Sequence, residues 1–171
     1  VKDAETRIRL GSMEVSMVTP KLLQALKSLK RFAPQFHLSL QSGSNAVLKS
    51  MNRHYTREEY LEKCRMIYEA FPNAGITTDI IVGFPGETTE EFEDTLKVLE
   101  AVRYDSLFTF IYSPRVGTPA ASMPDPMSRE EKLTNFNRLV ALQDSISEEK
   151  HAAYIGKTVR CLIDGESDDA R

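Results

Sequence analysis

The sequence predicts an α/β fold built on a parallel sheet. Short segments rich in β-branched or aromatic residues alternate with longer segments of helical periodicity along the 171 residues. Three of the helical segments open on a capping box, in which a Ser or Thr precedes a Glu by three positions. Strands that alternate with helices favour parallel pairing through right-handed crossovers. The predicted order is β-α-β-α-α-β-α-β-α, followed by one further strand.

The N-terminal third contains two predicted strands and two helices. Residues 8–10 form a short strand, and Thr19 caps a helix that has Pro20 at its first position and ends before Pro34. Residues 36–40 alternate apolar and polar side chains, which is typical of a half-polar strand. This strand leads into a short helix. The apolar face of the first helix is formed by Leu22, Leu23, Leu26 and Leu29.

The stretch 77–88 organises the rest of the chain. Its apolar run at 80–82 is too short for a helix and indicates a buried strand of a parallel sheet. A turn with two glycines follows at 83–86, and Thr88 then begins a helix. Asp79 places a carboxylate inside this apolar strand, where an unpaired charge is costly. It therefore needs a partner, which is either a structural side chain or a ligand.

The remaining elements follow the same signals. Thr56 opens a helix that ends at Pro72, and the aromatic segment 107–112 is strand-like. Two prolines and a glycine shape a loop at 113–119. Ser128 opens a long helix, and residues 158–163 alternate like a strand. The apolar face of the long helix is predicted to contain Leu133, Phe136, Leu139, Val140 and Ile146.

Composition limits the class of protein. Hydrophobic residues make up 41% and charged residues 27%, and the net charge of −3 argues against a general polyanion binder. No apolar run approaches the ~18 residues of a membrane span, and a signal-peptide pattern is absent. The two cysteines, Cys64 and Cys161, lie far apart, which argues against a disulfide framework. We expect a cytoplasmic protein with no membrane partner, cut from a longer chain.

Polar candidates converge at the carboxyl ends of the predicted strands, where parallel α/β folds bind ligands. They are Ser12, Gln41, Asp79 and the loop that begins at Tyr112, with Arg53 close enough to reach the same mouth. Gln and Asp suit ribose hydroxyls, and Arg suits a carboxylate. Each residue taken alone also fits a structural role, and Arg53 fits a solvated surface charge.

Common catalytic motifs are absent. The sequence contains no GxGxxG, P-loop, HExxH or GxSxG pattern. His37, His54 and His151 lack the spacing of metal ligands, and they are interpreted as surface or core residues. Cys64 lies on an apolar helix face and is interpreted as a core residue.

Four segments carry a specific resemblance. They are HLSLQSGS at 37–44, LKSMNRHYT at 48–56, TTDIIVGFPGET at 77–88 and FIYSPRVGTPA at 110–120. In this order they resemble the radical S-adenosylmethionine (SAM) methylthiotransferases, most closely those that act on tRNA. The opening RIRLGS and the first segment resemble the branch that modifies threonylcarbamoyl-adenosine. FTFIYSPR at 108–115 resembles the branch that modifies isopentenyl-type adenosine, so the substrate stays open.

The resemblance implies an architecture. Residues 1–127 would be the C-terminal half of a radical SAM barrel, a partial parallel β/α barrel of the TIM type. Residues 128–156 would be a closing helix and linker. Residues 157–171 would be a truncated β stub that begins a TRAM domain, which binds tRNA in this family. Half a barrel exposes strand edges, so self-association is expected.

The resemblance also implies cofactors and roles. The intact parent would use SAM and two 4Fe-4S clusters, but CxxxCxxC is absent, so this chain alone should be inactive. Arg53 would bind the carboxylate of SAM, Gln41 and Asp79 its ribose or amino groups, and Ile111 and Tyr112 would pack near the adenine. Ser12 is a further candidate. The alternatives are an inert SAM- or RNA-binding module and a methylthiotransferase that acts on a ribosomal protein.

Overall fold

A four-stranded parallel sheet forms the centre of the structure. The computed structural model describes residues 6–159, 161, 163 and 165. The strands are β1 (Ser12–Met13), β2 (Gln35–Leu38), β3 (Gly75–Val82) and β4 (Ser106–Ile111), and they lie in chain order. Each neighbouring pair is parallel. A sheet that adds strands in chain order is the progression of a β/α barrel, and the predicted fold class is confirmed.

Five helices connect and cover these strands. They are α1 (Pro20–Lys27), α2 (Asn45–Ser50), α3 (Arg57–Ala70), α4 (Thr89–Val102) and α5 (Arg129–Ala152). The predicted capping boxes are present at the starts of α3, α4 and α5. Two short 3-10 turns, Val15–Met17 and Pro119–Ser122, complete the described elements. Among the described helices, none has the length and apolar character needed to cross a bilayer.

The helices pack on one face of the sheet. Along β3, every second residue is buried, and these residues are Ile76, Thr78, Ile80 and Val82. Phe36 and Leu38 of β2 are fully buried on the same side. Each fully buried side chain of this size contributes about 1.5–3 kcal/mol. The alternate residues of the described strands lie on a face that no described helix covers.

The ladder between β2 and β3 contains one extra residue. His37 pairs with Thr77, and the next pairing is a bridge between Gln41 and Ile80. Three residues of β2 therefore lie opposite two residues of β3, which is a β-bulge. The bulge ends β2 at Leu38, two residues before the predicted end of the strand.

Side-chain hydroxyls stabilise the bulge. The carbonyl of Leu38 accepts hydrogen bonds from Thr78 Oγ1 (2.5 Å) and from the hydroxyl of Tyr60 (3.0 Å). The hydroxyl of Tyr55 lies 2.9 Å from each of the next two carbonyls. Carbonyls that lose their ladder partners are thus satisfied without water.

Two predicted elements differ from the structure. The first strand was expected at residues 8–10, but Ile8 forms only an isolated bridge to Phe32, and β1 is Ser12–Met13. Ile8 bonds to the chain ahead of β2, since its N–H donates to the carbonyl of Arg31. The second difference concerns α5. Leu133 was expected in its apolar face but is 48% exposed, and the buried residues of this helix are Lys132, Leu139, Gln143 and Ile146.

Two further expectations stay predictions. Most of the β stub at 157–171 lies outside the described residues, and residues 157–159 form no regular element. Among the described residues, β1 and β4 are the edge strands of the sheet. Self-association through these edges stays a prediction.

Gly43 provides a test of this packing. A Cβ on Gly43 would lie 2.5 Å from Thr95 Cα and 2.7 Å from the carbonyl oxygen of Asp94. We expect Gly43→Ala to lower the free energy of unfolding by about 1–3 kcal/mol or more, because the backbone of α4 would have to move. Gly11→Ala is the matched control, since a Cβ there meets nothing within 4 Å. Equal urea midpoints for the two variants would contradict the close approach.

Candidate functional site

Two clefts lie side by side on the uncovered face of the sheet. The upper cleft, of about 570 Å³, is lined by Gln41 beyond the end of β2, by the ends of β3 and β4 and by the loop after β4. The lower cleft, of about 680 Å³, lies towards β1. Asp79 and Phe110 line both. The upper cleft also contains Gln41, Ile81, Ile111, Tyr112, Ser113, Arg115, Thr118 and Ala120, and the lower cleft also contains Arg9, Leu10, Gly11, Ser12, Gln35, His37, Thr77 and Phe108.

Gln41 enters the upper cleft on a strained backbone. Its φ is +71°, a left-handed conformation that costs a non-glycine residue about 1–2 kcal/mol. The conformation is held from both sides, because Gln41 N–H donates to the carbonyl of Asp79 (2.8 Å) and Ile81 N–H donates to the carbonyl of Gln41 (2.9 Å). Gln41 is 7% exposed. Strain of this kind persists where the surroundings over-determine it, and it is common at ligand sites.

Asp79 has both a structural partner and an open side. Its Oδ2 accepts a hydrogen bond from Ser39 Oγ (2.7 Å) and lies 3.1 Å from His37 Nε2. The Asp79 side chain is 28% exposed, so it remains accessible to a ligand. The sequence left open whether this charge had a protein partner or a ligand, and the structure supplies the partner while leaving the carboxylate at the cleft surface.

His37 is the residue that sequence reasoning missed. Its Nδ1 lies 3.0 Å from Thr77 Oγ1, and its ring lies 5.7 Å from the ring of Phe108. Thr77 Oγ1 also accepts a hydrogen bond from Gln35 Nε2 (3.0 Å). The His37 ring is therefore held between Thr77 at Nδ1 and Asp79 at Nε2. The alternation of residues 36–40 did place His37 on the polar side of its strand, but it did not show the partner.

Tyr112 forms one wall of the upper cleft. Its N–H continues the ladder by donating to the carbonyl of Val82 (2.9 Å), and its ring meets Phe84 edge-on at 5.2 Å. The hydroxyl is buried and has no hydrogen-bond partner among the described residues. Ile111 pairs with Val82 and borders the same cleft. Gln41, Asp79, Ile111 and Tyr112 are therefore brought together.

Arg53 and Ser12 lie elsewhere. Arg53 is exposed after α2 and is not among the residues that line the upper cleft. It lies close enough to Tyr55 for its charge to lower the pKa of that hydroxyl, although burial dominates and raises this pKa to about 12. Ser12 pairs with His37 and lines the lower cleft. The sequence placed all four strand ends at one mouth, but Ser12 is the first residue of β1 and lies level with His37, four residues before Gln41.

Glu87 is a second residue without a sequence prediction. It is 5% exposed behind the upper cleft, and its Oε2 accepts a hydrogen bond from Gly83 N–H (2.7 Å). Burial raises the pKa of this carboxyl to about 7, and nearby Glu91 acts in the same direction. The Gly83 N–H and the charge of Lys132 oppose the rise.

The residues of this chain do not fit an iron-sulfur cluster. A 4Fe-4S cluster is held by several thiolates, and the whole chain has only two cysteines. Cys64 is buried in the core, and burial raises the pKa of its thiol to about 12. Within the described residues, no group of three or more His, Cys, Asp or Glu side chains is arranged to hold a metal ion.

Comparison with known proteins identifies the family. The model of the Radical SAM superfamily matches residues 2–99, more than half of the chain. This chain belongs to the radical SAM superfamily. The matched region includes β1 to β3 and most of α4, so Gln41 and Asp79 lie inside it.

The names of curated relatives are more specific than that of the superfamily. This chain is 44% identical over 165 residues to the tRNA-2-methylthio-N(6)-dimethylallyladenosine synthase of Clostridium novyi, covering 96% of this chain and 36% of that enzyme. It is also 44% identical over 166 residues to the synthase of the same name from Pelotomaculum thermopropionicum, covering 97% and 37%. The chain thus spans little more than a third of these relatives. The resemblance to the methylthiotransferases is confirmed.

A solved structure supports the fold. Coproporphyrinogen III oxidase from Escherichia coli, described as a radical SAM enzyme, aligns with a TM-score of 0.67 and 21% identity. The alignment covers 84% of this chain and 33% of the oxidase. This likeness shows the radical SAM fold alone.

Glu87 gives the radical SAM domain a pH-dependent stability. Its folded-state pKa of about 7 lies above the ordinary 4.5, so the folded protein holds a proton that the unfolded chain releases. Stability should therefore fall by up to about 3 kcal/mol as pH rises from 4.5 through 7. Thermal melts of Glu87→Gln should lack this decline, while the exposed control Glu148→Gln should keep it. A wild-type melting temperature that rises over this pH range would contradict the assignment.

The strained backbone of Gln41 can be tested separately. Because its φ is positive, Gln41→Gly should be more stable than Gln41→Ala by about 1 kcal/mol. The order should reverse at Gln24, an exposed residue of α1, where alanine is preferred by about 1 kcal/mol. Urea unfolding of the four variants decides the point, and alanine preferred at both sites would show that position 41 is relaxed.

Proposed function

We propose that this chain is part of an iron-sulfur radical SAM enzyme that methylthiolates a modified adenosine next to the anticodon of tRNA. The observation that carries the proposal is the convergence of Gln41, Asp79 and Tyr112 from three strands on one cleft. This cleft lies in a chain that is 44% identical to tRNA methylthiotransferases. The substrate follows the names of these relatives, so the isopentenyl-type adenosine is preferred to the threonylcarbamoyl type. The cytoplasm, where tRNA is modified, is the proposed location.

The side chains of the upper cleft fit SAM. The amide of Gln41 and the accessible carboxylate of Asp79 suit ribose hydroxyls or the amino group. Phe110 and Tyr112 offer aromatic surface to the adenine. Arg115 lines this cleft and is a second candidate, beside Arg53, for the carboxylate.

The lower cleft offers room for the target nucleoside. An enzyme that uses SAM on an adenosine must hold two nucleosides side by side, and the two clefts share Asp79 and Phe110. Phe108 and Phe110 are each 53% exposed, which is unusual for large apolar side chains and suits the stacking of a base. We place the modified adenosine in this lower cleft.

The residues of this chain would bind and orient the reactants. When bound, one SAM, given an electron by a reduced iron-sulfur cluster of the intact enzyme, would supply the radical that abstracts a hydrogen from the target adenosine. Sulfur inserted with the support of the second cluster would take the place of that hydrogen, and a second SAM would supply the methyl group. Asp79, held by Ser39 and His37, would keep the ribose in one orientation between the two clefts. The cluster ligands would come from parts of the enzyme outside this chain, and the TRAM segment at 157–171 would contact tRNA.

Asp79 is the sharpest test of the cofactor site. In the full-length reading frame, Asp79→Asn should weaken SAM binding about tenfold, because the neutral amide loses a charge-assisted hydrogen bond. The visible absorbance of the iron-sulfur clusters should stay unchanged, since no cluster ligand is altered. Asp144→Asn, at an exposed position of α5, should bind SAM like the wild type. Calorimetric titration measures the affinities, and an unchanged affinity in Asp79→Asn would remove this residue from the site.

A further inference from the structure

A buried lysine joins three parts of the chain behind the upper cleft. Lys132 lies in the first turn of α5 and is only 7% exposed. Its ammonium group forms an ion pair with Asp125 in the segment that follows β4. The same group lies 5.6 Å from the centre of the Tyr112 ring, in cation–π contact.

The stem of Lys132 crosses the end of β3 over Gly83. A Cβ on Gly83 would lie 2.5 Å from Lys132 Cγ and 2.6 Å from Cδ. Gly83 also has a φ of +70°, so a side chain at this position would strain the backbone and would displace the stem of Lys132. Because Gly83 has no side chain, the stem of Lys132 can pass over the GFPG turn and reach Tyr112.

The loop of residues 113–127 depends on this contact. Its other hydrogen bonds are largely internal, as in the bonds that Thr118 and Ser122 make to carbonyls three residues earlier. Within the described part of the chain, the Asp125–Lys132 pair is the only ion pair that ties residues 113–126 to the helices. The same loop supplies Arg115 and Thr118 to the upper cleft.

The acidic side chains around Lys132 stabilise its buried ammonium group. Asp125 faces it from the loop, and Glu87 faces it from the turn before α4. Glu91 of α4 adds further negative charge beside Glu87. Removal of the ammonium would leave these carboxylates without their buried counter-charge, so the loop segment around Asp125 should turn towards water.

We propose that Lys132 is a positioning residue that fastens loop 113–127 and Tyr112 against the upper cleft, so that this wall is preformed for the SAM nucleoside. The part concerning SAM rests on the proposed function. The part concerning the loop rests only on the contacts of Lys132. Lys132 itself is not among the residues that line the cleft, so it acts through Asp125 and Tyr112.

Trypsin cleavage after Arg115 tests the fastening of the loop. Val116 is fully exposed, so the bond between Arg115 and Val116 lies at the surface, and cleavage requires only that the surrounding loop loosen enough to enter the protease. We expect Lys132→Met to accelerate this cleavage about five- to tenfold, because cleavage follows the population of the open loop. Methionine preserves the packing over Gly83 but leaves the carboxylate of Asp125 without its partner, and removal of one member of a buried pair is destabilising. Mass spectrometry of the peptide that ends at Arg115 gives the rate.

Two further variants keep the test decisive. Asp125→Asn removes the ion pair from the loop side without changing α5, so it should accelerate the same cleavage even if Lys132→Met fails to fold. Lys150→Met is the matched control, because Lys150 lies on the same helix and pairs with Asp105 away from both clefts. Wild-type cleavage rates in Asp125→Asn, or equal acceleration in Lys150→Met, would overturn the proposal.

SAM affinity separates this inference from the proposed function. Calorimetry should show about a tenfold weaker affinity in Lys132→Met and Asp125→Asn, with the affinity of Lys150→Met unchanged. Faster cleavage with unchanged affinity would overturn the role of Lys132 in positioning the cleft wall. A wild-type full-length enzyme with intact clusters that binds no SAM would reject the proposed function, while the cleavage rates would still decide whether Lys132 fastens the loop.

Discussion

The bulge in β2, and the hydroxyl groups that stabilise it, are the constraint on which the rest of the site depends. The carbonyl of Leu38 would lack a ladder partner if Thr78 and Tyr60 did not donate to it. Burial raises the pKa of Tyr60 well above its ordinary value, so its hydroxyl stays protonated and remains a donor. The extra residue that these bonds accommodate carries Gln41 into a left-handed conformation at the cleft. Without the bulge, the backbone would not take up this left-handed conformation at Gln41.

The two faces of the sheet have different roles. On one face, the regular alternation of β3 buries Ile76, Ile80 and Val82 against the helices and supplies the stability of the domain. On the other, the same alternation leaves Asp79 accessible between two clefts. Because strand residues point alternately to opposite sides, one element can serve both purposes without a compromise at any single position. As a result, the second face of the sheet is uncovered and carries the exposed rings of Phe108 and Phe110.

The GFPGE turn after β3 is explained by packing as much as by ligand chemistry. Gly83 leaves space for the stem of Lys132, and its N–H holds the buried carboxylate of Glu87. Phe84 meets the ring of Tyr112 edge-on. This turn therefore packs against both Lys132 and Tyr112.

The sequence by itself determined the helices, the central strand and the family of this protein, but it misplaced β1. Helix caps such as that of Thr88, the alternation of β3 and the segments 37–44 and 77–88 are local signals, read within a dozen residues. These signals were sufficient to predict the parallel α/β fold and to bring Gln41 and Asp79 to one cleft.

Only the tertiary structure decided the contacts between distant segments. The pairing of His37 with Asp79 joins residues 42 positions apart, and it depends on the register of β2 against β3. Lys132 is buried because Gly83, far away in sequence, leaves it a path, which helical periodicity could not reveal. Arg53 lies outside the cleft, and the sequence could not show this. The direction of the residues that follow a short helix depends on how that helix packs. Contacts of this kind arise from the packing of whole elements, so no local pattern encodes them.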